Sequence, residues 1–242
     1  MKIPSQENTL LKVSMVVQDT WAIWHEEDTR GLSASKFDPE KLKDWYGCNS
    51  KKWKALLKRT NSKPEIVFFG KDPGKRNKNY TDGNKLSIQC FHSNSSMDLL
   101  IKGVLENSCF RGSYMTDVFD KSFEERGETI SLKDIKKKYK TEWEEIRKEA
   151  QEKFVKLIMD TKCKDIIAFG NDAFEYIQEF TKDKFQTSDM RTLENKIESI
   201  TLKESNRKWS VFKVYHPSPL NRNRHKLSDQ MKYLAKEIQV LR

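Results

Sequence analysis

The chain reads as an α/β protein, a three-layer α/β/α arrangement around a central, mainly parallel sheet of four or five strands. Three observations predict it. Short apolar runs alternate with segments whose apolar residues recur at helical spacing. The runs at 65–69 and 165–169 are apolar enough to be covered on both faces, as parallel strands are. Two of the runs stop at tight proline turns that leave one polar residue of catalytic type at the strand's carboxyl end: Gly70-Lys71-Asp72-Pro73-Gly74 and His216-Pro217-Ser218-Pro219-Leu220-Asn221.

The elements follow in order. Residues 1–60 predict a helical extension packed on the core. Leu10, Leu11, Val13, Met15 and Val16 supply apolar contacts, and four of the six tryptophans (Trp21, Trp24, Trp45, Trp53) imply docking. Residues 61–242 form the α/β domain. Glu65–Phe69 predicts its first buried strand, and residues 70–87 a polar loop. Met97, Leu100, Ile101, Val104 and Leu105 lie on one face of a helix over 93–106. Ser113–Val118 predicts the second strand, and 121–140 a charged, partly helical connection. Thr141-Glu142-Trp143-Glu144 has the form of a capping box before a helix carrying Ile146, Ala150, Phe154, Leu157 and Ile158. Asp165–Phe169 is the third strand, closed by Gly170. Asn171-Asp172 predicts the cap of a helix running through Phe180. Residues 196–202 and 209–215 predict a hairpin around Glu204-Ser205-Asn206-Arg207. Leu227, Met231, Leu234, Ile238 and Leu241 mark the last helix.

A net charge of +10 favours a polyanionic partner such as DNA, RNA or an anionic membrane face. No apolar run reaches the roughly 20 residues a membrane span needs, and no signal-type apolar region follows Met1-Lys2-Ile3-Pro4. The expected location is the cytoplasm, or the nucleus in a eukaryote, without secretion. Cys48, Cys90, Cys109 and Cys163 show no close metal-ligand spacing and read as free thiols. The Gly-x-x-x-x-Gly-Lys-Ser/Thr and Gly-x-Gly-x-x-Gly nucleotide turns are both missing, which weakens a small-nucleotide hydrolase.

The two proline turns together resemble the uracil-DNA glycosylase superfamily. The first has the pattern G-x-D-P-G, close to the G-Q-D-P-Y of its best-known members. The second, His216 to Leu220, is identical to the H-P-S-P-L segment of the uracil-removing branch. Ile166–Asn171 is similar to the strand that ends in Gly-Asn, and Gln89-Cys90-Phe91 to the aromatic that stacks on the extruded base. The resemblance covers residues 64–242 in patches. It implies a monofunctional DNA glycosylase that flips out and hydrolytically excises uracil or a related deaminated base, leaving an abasic site for base excision repair. It implies water as co-substrate, no metal, no organic cofactor, DNA as partner and a monomer.

The chemistry of the residues agrees. Breaking a base–deoxyribose bond develops positive charge on the sugar and negative charge on the base. Asp72 supplies the anion near the sugar and a place to activate water; His216 supplies a donor to the departing base. Taken singly, Asp72 reads as a turn former and His216 as a structural histidine; taken as a pair at two strand ends, they favour catalysis. The resemblance puts Phe91, Gly70 and Lys71 at the base, and Leu220 as the wedge that fills the vacated stack. Ser218, Pro219, Asn221, Arg222 and Arg224 after the second turn, and Lys75 and Arg76 after the first, are placed to meet phosphates.

One departure affects base choice. Asp117 stands where many relatives carry an asparagine that donates to O4 of uracil and accepts from N3–H. An ionised carboxylate accepts but cannot donate. A non-catalytic DNA-binding module with a glycosylase-like fold is therefore the competing reading.

Overall fold

The structure, a computed structural model, describes residues 20–21, 65–71, 91, 96–106, 108–119, 124–125, 128–129, 131–218 and 221–240. The strands are β1 (Thr20–Trp21), β2 (Ile66–Gly70), β3 (Tyr114–Asp117), β4 (Glu124–Glu125), β5 (Glu128–Thr129), β6 (Asp165–Phe169), β7 (Gln186–Thr187), β8 (Arg191–Thr192), β9 (Glu198–Glu204) and β10 (Arg207–Val214). The α-helices are α1 (Ser96–Leu105), α2 (Leu132–Lys138), α3 (Trp143–Asp160), α4 (Gly170–Thr181) and α5 (Leu227–Val240).

The main sheet runs β1-β3-β2-β6-β10-β9-β7, with β8 also paired to β9. Its four central strands, β3, β2, β6 and β10, are parallel. The antiparallel pairings lie at the edges: β1 on β3, and β9 with β10, β7 and β8. The five strands read from the sequence are the long ones; β1, β7 and β8 are two-residue additions. Residues 196–215 make the expected hairpin, with Trp209 opposite Leu202 and Val211 opposite Ile200.

The alternation within each central strand explains the three layers. Val67 and Phe69, Ile166 and Ala168, and Val211 pack with Ile146, Phe154 and Leu157 of α3 and Phe174, Ile177 and Phe180 of α4. Ile66 and Phe68, Ile167 and Phe169, and Phe212 pack on the other face with Ile101 and Leu105 of α1 and Leu227, Met231 and Leu234 of α5. Each run is apolar on both faces because both faces are covered. Phe68 stacks on Phe169 at 5.4 Å and meets Phe110 edge-on at 5.6 Å. Truncating such a fully buried ring to alanine costs about 3–5 kcal/mol.

Three local expectations are corrected. The capping box does not form: Glu142, not Thr141, is the N-cap of α3, and no side chain caps it. Its backbone is αR rather than extended, because the turn after α2 (Glu142 N donating to Tyr139 O, 3.1 Å) leads directly into α3. A side-chain cap needs extended backbone at that position. Second, α4 starts at Gly170, so Asn171 and Asp172 lie inside its first turn, without capping it. Third, within the segment read as helical, Thr20–Trp21 is a strand added to the sheet edge beside β3. The rest of residues 1–60 lies outside the described residues.

Arg207 ties the hairpin to the end of α3. Its guanidinium donates to the carbonyls of Met159 (2.6 Å), Thr161 (2.8 Å) and Ile158 (3.2 Å). Those are orphan acceptors of a helix C-terminus, where a cation is also favoured by the helix dipole.

Candidate active site

The carboxyl ends of the four parallel strands lie side by side. Gly70 pairs in register with Asp117, Phe69 with Ala168, and Phe169 with Val214. From β2 the chain moves to β3 on one side, then crosses to β6 on the other. The crevice between β2 and β6 is thus a topological switch point, where open α/β sheets receive ligands.

On the β2/β3 side, Gly70, Asp117 and Phe91 meet. A Cβ added to Gly70 would collide with the Asp117 carboxylate and come within 3.3 Å of the Phe91 ring. Only a residue without a side chain leaves this room. Asp117 is buried, and its carbonyl accepts from the Lys153 ammonium at 2.9 Å. Phe91 is buried with φ of 67°, and its ring packs 6.5 Å from that of Phe169. It therefore belongs to the core cluster and also reaches the strand end.

Lys71 follows β2 immediately. Backbone bonds continue the ladder past the strand: Val118 N donates to Gly70 O (2.9 Å) and Phe119 N to Lys71 O (3.0 Å). The Lys71 side chain is buried and its ammonium lies 3.4 Å from the Asp172 carboxylate. This ion pair spans the switch point, from the end of β2 to the first turn of α4.

His216 comes off β10. Its Cβ presses on Gly170, where an added Cβ would sit 3.0 Å away; Gly170 also has φ of +86°, which favours glycine. The loop holds both the ring and the backbone of His216. Ser218 N donates to His216 Nδ1 (3.1 Å), and the Asn221 amide donates to His216 O (2.8 Å). Because Nδ1 accepts a backbone N–H, the ring proton of the neutral form is on Nε2, which is then a donor. Burial pushes the imidazole pKa down to about 4, with the Lys71 charge acting in the same direction and Asp172 opposing it. His216 is neutral at physiological pH.

Gln230 of α5 was not legible as a site residue. It is buried, accepts from Tyr215 N at 2.6 Å, and donates to Asn195 O at 2.9 Å, anchoring the strand end that carries His216. Its one sequence signal is position: three residues after Leu227, on the apolar face of the last helix. Asp172, read only as a helix cap, is the other residue missed. Asn221, read as a phosphate contact, spends its amide on His216 and accepts from Asn223 N with its oxygen (3.0 Å). Arg222 is exposed and Arg224 half-buried beside this loop. Asp72, Lys75, Arg76, Pro219 and Leu220 lie outside the described residues.

Residues 57–241 match the Uracil DNA glycosylase superfamily. The chain belongs to this superfamily. No curated protein matches the chain. The superfamily match spans every long strand and all five described helices, and so covers the strands that form this sheet edge. Membership brings glycosylase-type hydrolysis as the activity class and DNA as the substrate. Among the described residues, no helix is long and apolar enough to cross a membrane.

Proposed function

We propose that the protein is a monofunctional glycosylase that extrudes uracil or a related deaminated base from DNA and hydrolyses its bond to deoxyribose, acting as a monomer. The observation that carries the reading is the His216 imidazole, neutral and with its Nε2 proton free of the Nδ1 contact to Ser218. As the C1′–N bond breaks, the base takes the electron pair and its carbonyl oxygen becomes anionic; water adds to C1′. A preorganised neutral donor at that oxygen, in a partly dry site, is worth about 10²–10³ in rate. Asp72, one residue beyond Lys71, is the carboxylate for the sugar side. Phe91 stacks on the base, Leu220 fills the gap it leaves, and Ser218, Pro219, Asn221, Arg222, Arg224, Lys75 and Arg76 border the phosphates.

One observation favours a second reading, DNA binding without cleavage. Asp117 is a buried carboxylate packed on Gly70, where an amide would serve uracil better. Base release from a panel of uracil, hypoxanthine, xanthine and mismatched duplexes decides between the two. Free base that vanishes in Asp72→Asn and His216→Ala supports the enzyme. Binding to the whole panel without release supports the module.

A further inference from the structure

The ligand edge of the sheet continues past His216. Because β9 runs antiparallel to β10, it is the start of β9 that lies at this edge: Glu198 is paired in register with Lys213, three residues before His216. The turn ahead of β9, Glu194–Lys196, therefore sits beside the His216 loop. A polar cavity of about 430 Å³ lies between them, lined in part by Lys196, Glu198, Tyr215, His216, Asn223 and Gln230.

The backbone of this turn is unusual. Asn195 and Lys196 have φ of 55° and 58°, the one place among the described residues where two side-chain-bearing residues in succession are left-handed. Asparagine tolerates that state, but for lysine it is costly, and glycine would fill it without strain. The turn is also held firmly. The buried Gln230 amide accepts from Tyr215 N (2.6 Å) and donates to Asn195 O (2.9 Å), and Leu193 N donates to Ile197 O (2.7 Å) across the base of the turn. One side chain of α5 thus couples the residue before His216 to the residue before Lys196.

Charge separates Lys196 from its neighbours. Lys213 pairs with Glu198 at 2.6 Å, and Asn221 and Gln230 use their amides on backbone carbonyls. Glu194, the acid of the same turn, does not line the cavity. Lys196 is exposed at the cavity and has no ion-pair partner among the described residues. The loop of Asn221 and Asn223, which alternate with Arg222 and Arg224, lines the same space. A strained backbone that presents such a cation at a polar cleft, on a chain of net charge +10, makes a place for an anion.

We propose that this turn is a second grip on DNA, in which the Lys196 ammonium contacts a backbone phosphate of the strand laid over the His216 edge. The ligand chemistry is a phosphodiester, which a lysine meets as a point charge. Such a contact is blind to base identity and contributes affinity and register. DNA as the ligand comes from superfamily membership, and no step of bond cleavage is needed for the contact.

Binding of the full chain to a short undamaged duplex is followed by fluorescence anisotropy across a salt series. In Lys196→Met the slope of log affinity against log salt falls by about 0.7–0.9, one contact's worth, and in Lys196→Arg it keeps the wild-type value. Lys208→Met removes an exposed cation at the opposite end of β10 and leaves the slope alone. Lys196→Gly removes the same contact while relieving the left-handed backbone, so the slope falls although the protein is no less stable to urea. A lysine kept for structure gives the reverse pattern, lower stability with an unchanged slope. An unchanged slope in Lys196→Met overturns the proposal, as does an equal fall in Lys208→Met or a chain that binds no DNA at all. A chain that binds with the expected slopes but releases no base from any duplex defeats the glycosylase reading alone and leaves this contact standing.

Discussion

Gly170 and His216 are packed so closely that a methyl group on the glycine would lie 3.0 Å from the histidine's Cβ. The glycine also holds φ of +86°, a backbone state that costs an L-residue of order 1–3 kcal/mol. Gly170→Ala therefore strains the β6–α4 junction and pushes His216 off its position. Urea unfolding will show a loss of about 1–3 kcal/mol, and base release will fall by more than the loss of folded protein explains.

Gly70→Ala behaves differently, because Gly70 is in a strand with no positive φ. The new methyl group meets the Asp117 carboxylate and the Phe91 ring instead of straining the chain. The outcome is a folded protein that is less stable by about 1–3 kcal/mol, because the buried Asp117 carboxylate must move aside, and that binds undamaged DNA as before but releases base at least about tenfold more slowly. Single-turnover base release beside a binding isotherm measures both.

Asp117→Asn restores an amide donor at the pocket wall. A site left with an unmatched polar group discriminates by 1–3 kcal/mol, so the variant shifts selectivity toward uracil by about tenfold or more. The ratio of uracil release to release of a base presenting an exocyclic amine is the measurement. An unchanged ratio would show that Asp117 does not touch the base.

The depressed pKa of His216 also predicts how stability responds to acid. The folded value is about 4, below the ordinary value of about 6.5. Between these values the unfolded chain binds a proton that the folded chain does not, so stability falls as pH falls through that window. Above about pH 6.5 the contribution is flat. His216→Gln, which does not titrate, loses this part of the slope; urea midpoints at pH 7.5, 6 and 5 for both proteins test it.

Affinity for DNA will fall with salt, with a slope of about 0.7–0.9 per phosphate contacted. Replacing Arg222 and Arg224 together with alanine reduces that slope by up to about two contacts' worth, without altering which base is released. A slope that does not change places both side chains away from the phosphates.

Much of this molecule was legible in one dimension. The runs Ile66–Phe69 and Asp165–Phe169 announced buried parallel strands, since a strand covered on both faces has no reason to alternate. The stripes of α1, α3 and α5 followed from the helical period, and the proline turn placed His216 at a strand's end. Helix starts were misread because the fold, not the side chain, sets where a helix begins: the N-cap of α3 is Glu142, whose backbone is αR, and α4 already starts at Gly170, which puts Asn171 inside its first turn. The strand order, the switch point between β2 and β6, the pairing of Lys71 with Asp172, the anchoring of Tyr215 by Gln230 and the tautomer of His216 were decided only by the tertiary structure. Each depends on which strand ends become neighbours, and that is a property of sheet register and crossover that no local pattern of residues encodes.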